Sequence, residues 1–241
     1  MRKAFIYLYN AWCLFWFVAW FLVLFPFTYI CLQRKQWHKY AHQLNYLWSR
    51  ILFPMIFMPI DIEFEAKPES KKTYVFVANH FSYLDIPMAT RVISNYFAFV
   101  GKSSVKNVPL FGYMFAKLHL PVDRGDKNSR TKSLVRAMKT LKEGRSIFIM
   151  PEGGIISKHI PKMHQPFKDG AFAMAIEAQV PIVPISFLNL YEIMPDTLLN
   201  WGRVKVIVHT PIETIGKTKT DIEALKQEVY QVIQGALDGR K

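Results

Sequence analysis

Residues 4–33 contain no charged side chain and are dense in Phe, Trp, Tyr, Leu and Val. A run of that length predicts at least one membrane-embedded segment. Arg2 and Lys3 precede it as in a secretory signal. The run nevertheless continues through Phe25, Pro26, Phe27 and Tyr29 without a small-residue cleavage site, so it is expected to be retained. Pro26 supplies a potential kink, which leaves both a spanning and a re-entrant course open. The next segment, 37–58, carries Tyr40, Leu44, Leu47, Ile51 and Met55 at three- and four-residue steps, with His38, Lys39, His42, Asn45 and Ser49 on its other face. That pattern reads as a core helix or as an interfacial helix completing a two-helix anchor. Arg34, Lys35, Lys39 and Arg50 outnumber Arg2 and Lys3, so a spanning arrangement in the cell membrane puts the following domain in the cytoplasm.

Beyond residue 58 the pattern changes to short β-rich runs alternating with helical ones. Strands are predicted at 73–78, 98–101, 146–150, 182–187 and 204–209. Helices are predicted at 84–94, 129–143 with a stop at Gly144, 170–179 and 220–236. The alternation predicts an α/β fold with a largely parallel central sheet flanked by helices. The chain therefore divides into membrane-anchoring helices at 1–58 and a soluble domain at 59–241. Pro, Lys and Gly between Gly153 and Gly170 suggest a mobile loop.

Charge alters this picture. Lys and Arg number 31 against 18 Asp and Glu, a net charge of +13, in a chain of 241 residues that is 51% hydrophobic and 15% aromatic. A chain both basic and apolar fits an anionic membrane surface better than nucleic acid. Its two cysteines, Cys13 and Cys31, both lie in the apolar N-terminal run, which argues against a disulfide framework or a zinc cluster.

The strand ending at Ala78 runs directly into Asn79-His80-Phe81-Ser82-Tyr83-Leu84-Asp85. Strand ends are where α/β sheets place ligands. With four residues between them, His80 can sit at the strand end and Asp85 on the first turn of the next helix. The carboxylate then accepts from one ring nitrogen and leaves the other free as a base. Ser82 invites a serine-hydrolase reading, but no Gly-x-Ser-x-Gly elbow surrounds it or occurs elsewhere. Gly101-Lys102-Ser103 mimics the tail of a phosphate loop, yet Tyr96 stands where its first Gly is required. His159 and His164 lack carboxylates or thiolates at ligand spacing, so no metal site is expected.

In context, the Asn79-His80 to Asp85 motif resembles the first block of the glycerolipid acyltransferase family, which includes the lysophosphatidic acid acyltransferases. The resemblance extends over about 73–210. Lys102 and Pro109-Leu110-Phe111-Gly112, followed by Leu120-Pro121-Val122-Asp123-Arg124, are similar to the second block. Pro151-Glu152-Gly153 is similar to the third, and Val180-Pro181-Ile182-Val183-Pro184 to the fourth. Many members follow the third block with Thr-Arg-Ser, whose Arg is thought to hold acceptor phosphate. Here Gly154-Ile155-Ile156 stand there, removing a bidentate phosphate donor.

The resemblance implies an O-acyltransferase of phospholipid biosynthesis that needs no cofactor. His80 and Asp85 would be catalytic, moving an acyl chain directly from the thioester of acyl-CoA or acyl carrier protein to a lysophospholipid hydroxyl. Lys102, Arg124, Glu152 and Gly153 would bind substrate: Glu152 orienting acceptor hydroxyls, Arg124 or Lys102 holding phosphate, and backbone amides near Gly153 and Gly154 meeting the oxyanion. Lys158, Lys162 and Lys168 are further phosphate candidates. The acceptor is expected to be 1-acyl-glycerol-3-phosphate, giving phosphatidic acid. Another lysophospholipid, a lyso-aminolipid, or a non-catalytic lipid-binding role are the alternatives. Arg124 equally has possible ion-pair partners in Asp123 and Asp126.

Overall fold

The computed structural model describes residues 2–239. Helix α1, Arg2–Cys31, runs unbroken through Pro26. Helix α2, His38–Met55, turns back against it. Strands β1 (Ile60–Phe64) and β2 (Val75–Ala78) follow. Next come α3 (Asp85–Val92), β3 (Phe97–Lys102), α4 (Phe111–Leu118) and β4 (Leu120–Val122). The remainder is α5 (Lys127–Lys142), β5 (Ser146–Ile149), α6 (Gly170–Ala178), β6 (Ile182–Phe187), α7 (Leu190–Ile193), β7 (Val204–Val208) and α8 (Ile222–Asp238).

The strands form one sheet in the order β1-β7-β6-β2-β5-β3-β4. β6, β2, β5, β3 and β4 are parallel, as expected. β7 lies antiparallel to β6, and β1 is parallel to β7, so the first two strands in the order point the other way. Strands β2 and β6 are buried on both faces, which explains their unbroken apolar sequences. The edge strand β1 alternates Ile60, Asp61, Ile62, Glu63 and Phe64. One face of the sheet packs Phe76, Phe97, Phe148 and Phe187 against α1, α2 and α3. The other packs Val75, Val77 and Ile147 against α5, α6 and α8. Each large apolar side chain so buried contributes roughly 1.5–3 kcal/mol. These two layers hold the strand ends in place.

The anchor differs from expectation. Among the described residues one helix, not two, is long and apolar enough to cross a membrane: residues 4–31, with a mean hydropathy of 2.1 and only 11% of the window buried. α2 is too polar, and its faces are inverted relative to a simple core helix. Its polar residues His42 and Ser49 are buried against the body, while Tyr40 and Leu47 are 47% and 44% exposed. His42 pairs through Nε2 with the Asn95 carbonyl at 2.9 Å, and burial pushes its imidazole down to about 4, so it is neutral there. Tyr9, Cys13, Leu52, Phe53, Ile56 and Met58 share one cluster with the sheet, so the N-terminal helices and the α/β body have a common core across residue 58.

α1 is also fastened along its length. Near its start, Asn10 exchanges two hydrogen bonds with the backbone of Leu199. Just past its end, Gln33 bonds the Tyr113 hydroxyl on α4 at 3.2 Å. More than twenty residues at 1.5 Å each separate these ties. The helix therefore lies across the body rather than standing away from it.

Candidate active site

β2 ends at Ala78, and the chain turns from its carboxyl end into the His80 loop. Asn79 makes that turn possible. Its buried side chain continues the β2–β6 pairing, donating through Nδ2 to the Phe187 carbonyl at 3.1 Å and accepting from the Phe187 N–H at 2.8 Å. Asp85 then opens α3, where a carboxylate also meets the positive end of the helix.

His80 Nδ1 lies 2.9 Å from Asp85 Oδ2. The same oxygen accepts the backbone N–H of Phe81 at 2.9 Å and of Ser82 at 3.0 Å. Asp85 is fully buried, and its Oδ1 has no partner among the described residues. Burial pushes its carboxyl up from the ordinary value, opposed by His80 and the two backbone donors. The His80 side chain is 13% exposed. With Nδ1 held by the carboxylate, Nε2 is the nitrogen available to take a proton.

Ser82 cannot serve as a nucleophile in this arrangement. It is buried, donates through Oγ to the Met194 carbonyl at 2.9 Å and accepts from the Leu84 N–H at 3.2 Å.

Glu152 follows β5 in the strand position beside β2. It is fully buried, with Oε1 accepting the backbone N–H of His80 at 2.7 Å and Oε2 that of His164 at 2.8 Å. Both oxygens thus brace backbone, whereas the sequence reading put them at acceptor hydroxyls. Burial pushes the carboxyl up to about 7, partly offset by those two donors. A carboxyl raised in the folded state adds stability below its ordinary value and loses it as pH rises through about 7. Glu152→Gln is therefore expected to flatten the decline in urea midpoint between pH 5 and pH 8. Parallel wild-type and variant profiles would count against a raised Glu152.

Arg124, just after β4, donates through Nη1 to the Gly153 carbonyl. The nearby acids do not hold it: Asp123 accepts the Gly125 N–H at 3.0 Å, and Asp126 caps α5 through the Asn128 N–H at 2.8 Å. Gly153 has φ +84, a conformation that favours glycine, and its N–H is spent on the Met150 carbonyl. That engagement removes the Gly153 amide as an oxyanion donor. Lys102 is exposed at the end of β3. Because β2, β5, β3 and β4 are consecutive and parallel, His80, Gly153, Lys102 and Arg124 all open on the same end of the sheet.

The 153–170 loop is anchored rather than mobile. Met163 and Phe167 are buried, Met163 N–H bonds Gln234 Oε1 at 2.9 Å, and Lys168 N–H bonds the Pro151 carbonyl at 2.9 Å. Lys168 lies against Gly153, since a Cβ there would stand 3.6 Å from its Cε. His159 and His164 are exposed, and no group of metal-ligating side chains occurs among the described residues. The arrangement supplies an oriented imidazole base, cations on the same end of the sheet, and a loop hydroxyl, Ser82, that is bound away from the imidazole.

Residues 60–188 match the family model described as Acyltransferase. The chain is 35% identical over 180 residues to a chloroplastic 1-acyl-sn-glycerol-3-phosphate acyltransferase of Brassica napus, covering 72% of this chain and 51% of that protein. It thus spans about half the length of that relative. It is 25% identical over 206 residues to the 1-acyl-sn-glycerol-3-phosphate acyltransferase of Escherichia coli, covering 85% of this chain and 82% of that one. The crystal structure of the 1-acyl-sn-glycerophosphate acyltransferase of Thermotoga maritima shares the fold, with a TM-score of 0.79 at 20% identity over 99% of this chain and 97% of that one.

Proposed function

Because the chain belongs to the acyltransferase family, we propose that it is an O-acyltransferase moving a fatty acyl chain from acyl-CoA or acyl carrier protein to the free hydroxyl of 1-acyl-glycerol-3-phosphate, forming phosphatidic acid. The observation that carries this reading is the buried Asp85 holding His80 while Ser82, the hydroxyl of the same loop, is bound to the Met194 carbonyl. His80 Nε2 removes the acceptor's hydroxyl proton, and the oxygen attacks the thioester carbonyl directly. Asp85 stabilises the imidazolium, which returns the proton to the departing thiolate as the C–S bond breaks. Glu152 keeps the His80 backbone in place. No cofactor enters these steps.

Lys102, Arg124 and Lys168 form the cationic side of the site and hold the acceptor phosphate. The exposed Ile155 and Ile156, in place of a phosphate-binding Arg, favour a second reading in which another lysolipid is the acceptor. A turnover assay with labelled acyl-CoA decides between them. The KM for 1-acyl-glycerol-3-phosphate is expected to lie well below that for 1-acylglycerol and for lyso-aminolipids. Equal values would remove phosphate recognition, and no transfer to any of them would remove the function.

α1 is the membrane anchor, lying within one leaflet, a course favoured by its ties to the body at both ends. The half-exposed Tyr40 and Leu47 of α2 add interfacial contact. Its flanking cations stack on aromatic rings, Arg34 over Trp37 at 4.9 Å and Lys39 over Tyr40 at 5.0 Å. The excess of Lys and Arg favours the anionic cytoplasmic leaflet of the cell membrane, with the catalytic body in the cytoplasm.

A further inference from the structure

The segment between α7 and β7 joins the catalytic loop to both N-terminal helices. Ser82, two residues past His80, is tied to the Met194 carbonyl. Five residues on, Leu199 N–H donates to Asn10 Oδ1 at 2.7 Å, and Asn10 Nδ2 donates to the Leu199 carbonyl at 2.9 Å. Trp201 Nε1 then donates to the Phe57 carbonyl, just past the end of α2, at 3.1 Å. Glycine at 202 lets the chain close against α7, since a Cβ there would stand 2.5 Å from Ile193 Cδ1. Residues 194–202 are thus a strap fixed to the catalytic loop, α1 and the end of α2.

The outer face of this junction is aromatic. Phe57 is 65% exposed and Trp201 66%; Trp12, stacked on Phe57, and Leu198, on the same strap as Trp201, are also exposed. Phe57 also has φ +54, in the left-handed position that closes a helix and normally takes glycine. There the Phe57 N–H bonds the Pro54 carbonyl and the Met58 N–H that of Phe53. A bulky residue in this conformation is strained. The protein offsets little of that strain for an exposed ring, whose aromatic contact is a stack on Trp12 at a centroid distance of 6.3 Å. Both indole N–H groups are already satisfied by backbone carbonyls, Trp12 by Met55 and Trp201 by Phe57. Rings with satisfied N–H groups turned outward suit the boundary between lipid headgroups and acyl chains.

The patch lies at the reacting end of the sheet. β7 runs opposite to β6, so the beginnings of β7 and β1 stand beside the carboxyl ends of β6 and β2. Tyr83, in the catalytic loop itself, is 66% exposed.

We propose that Trp12, Phe57, Leu198 and Trp201 form a docking surface for a phospholipid bilayer, setting the mouth of the site level with the headgroups while the 194–202 strap holds the His80 loop to that plane. The inference rests on α1 lying in a leaflet and on a lysolipid acceptor. Lipid is the occupant because Trp12 belongs to α1, so the patch continues that helix's exposed apolar face, and because the chain carries a net charge of +13.

The test uses the full chain with Phe57→Gly and Leu198→Ser, which leave the Asn10, Ser82 and Trp201 ties of the strap in place, singly and together, and vesicles of mixed phosphatidylcholine and phosphatidylglycerol. Phe57→Gly also relieves the backbone strain, so it is expected to fold. Turnover of a long-chain lysolipid embedded in the vesicles should fall on the order of tenfold in the double variant, as expected for losing interfacial apolar burial. Turnover of a short-chain, water-soluble acceptor with the same headgroup should stay at the wild-type rate. Unchanged turnover of the embedded acceptor, or equal loss on both acceptors, would overturn the proposal. Wild-type protein that fails to sediment with vesicles would overturn the leaflet reading as well, and wild-type protein that binds vesicles but acylates neither acceptor would overturn the acceptor assignment beneath it.

Discussion

His80→Ala is expected to lower kcat by about 10²–10⁴, the usual contribution of a positioned general base, with little change in acceptor KM. The size follows from the geometry. His80 is the imidazole held on Asp85, and Ser82 is bound away on Met194, so Ser82 does not replace it in taking the hydroxyl proton. The effect on folding should be small. The side chain is partly exposed, and Asp85 Oδ2 keeps its two backbone donors from Phe81 and Ser82. Single-turnover transfer from radiolabelled acyl-CoA, with thermal melting as a control, measures both. Near-normal transfer by a folded His80→Ala protein would remove His80 from the mechanism.

Asp85→Asn separates catalysis from stability. Its amide oxygen can keep the Phe81 and Ser82 N–H groups, but the neutral side chain no longer balances an imidazolium. A loss of kcat on the order of 10²–10³ is expected. Stability should move the other way or not at all. Asp85 is completely buried with Oδ1 unpartnered, and burial pushes its carboxyl up despite three donors on Oδ2. Desolvation therefore outweighs the hydrogen bonds, and removing the charge removes that penalty. A Tm equal to or above wild type, together with the activity loss, is the expected pair of results. A clear drop in Tm would show that the hydrogen bonds dominate, and retained activity would remove the orienting role.

How far these features could be read in the sequence depended on their physics. The central strands were legible because burial on both faces demands uninterrupted apolar residues, as in Val75–Ala78 and Ile182–Phe187. The His80 loop was legible because a strand led directly into it. β1 was missed although Ile60, Ile62 and Phe64 alternate with acids, since its pairing with β7 depends on residues far along the chain. β4 has three residues, one of them Pro121, which is too few for a periodic signal. The faces of α2 were also beyond reach, because periodicity separates polar from apolar positions without saying which of them meets protein. Glu152 stands out in the sequence after an apolar strand and before two glycines, but its contacts are backbone N–H groups that no side-chain pattern encodes. The same holds for the bond from Arg124 to the Gly153 carbonyl. Ser82 was weighed only as a nucleophile, and its actual bond to Met194 has no local signature.

The pairing of β1 with β7 also orders events during synthesis. Ile60 must wait for Val204, more than 140 residues later, and Asn10 of α1 must wait for Leu199. At ribosomal rates of about 5–20 residues per second, that delay is roughly 7–30 s. During it α1 emerges from the ribosome with the far end of its protein dock unmade, and its aromatic side chains are an aggregation hazard in water. The nascent helix therefore needs a cover, a lipid surface or a chaperone, before the domain beneath it exists.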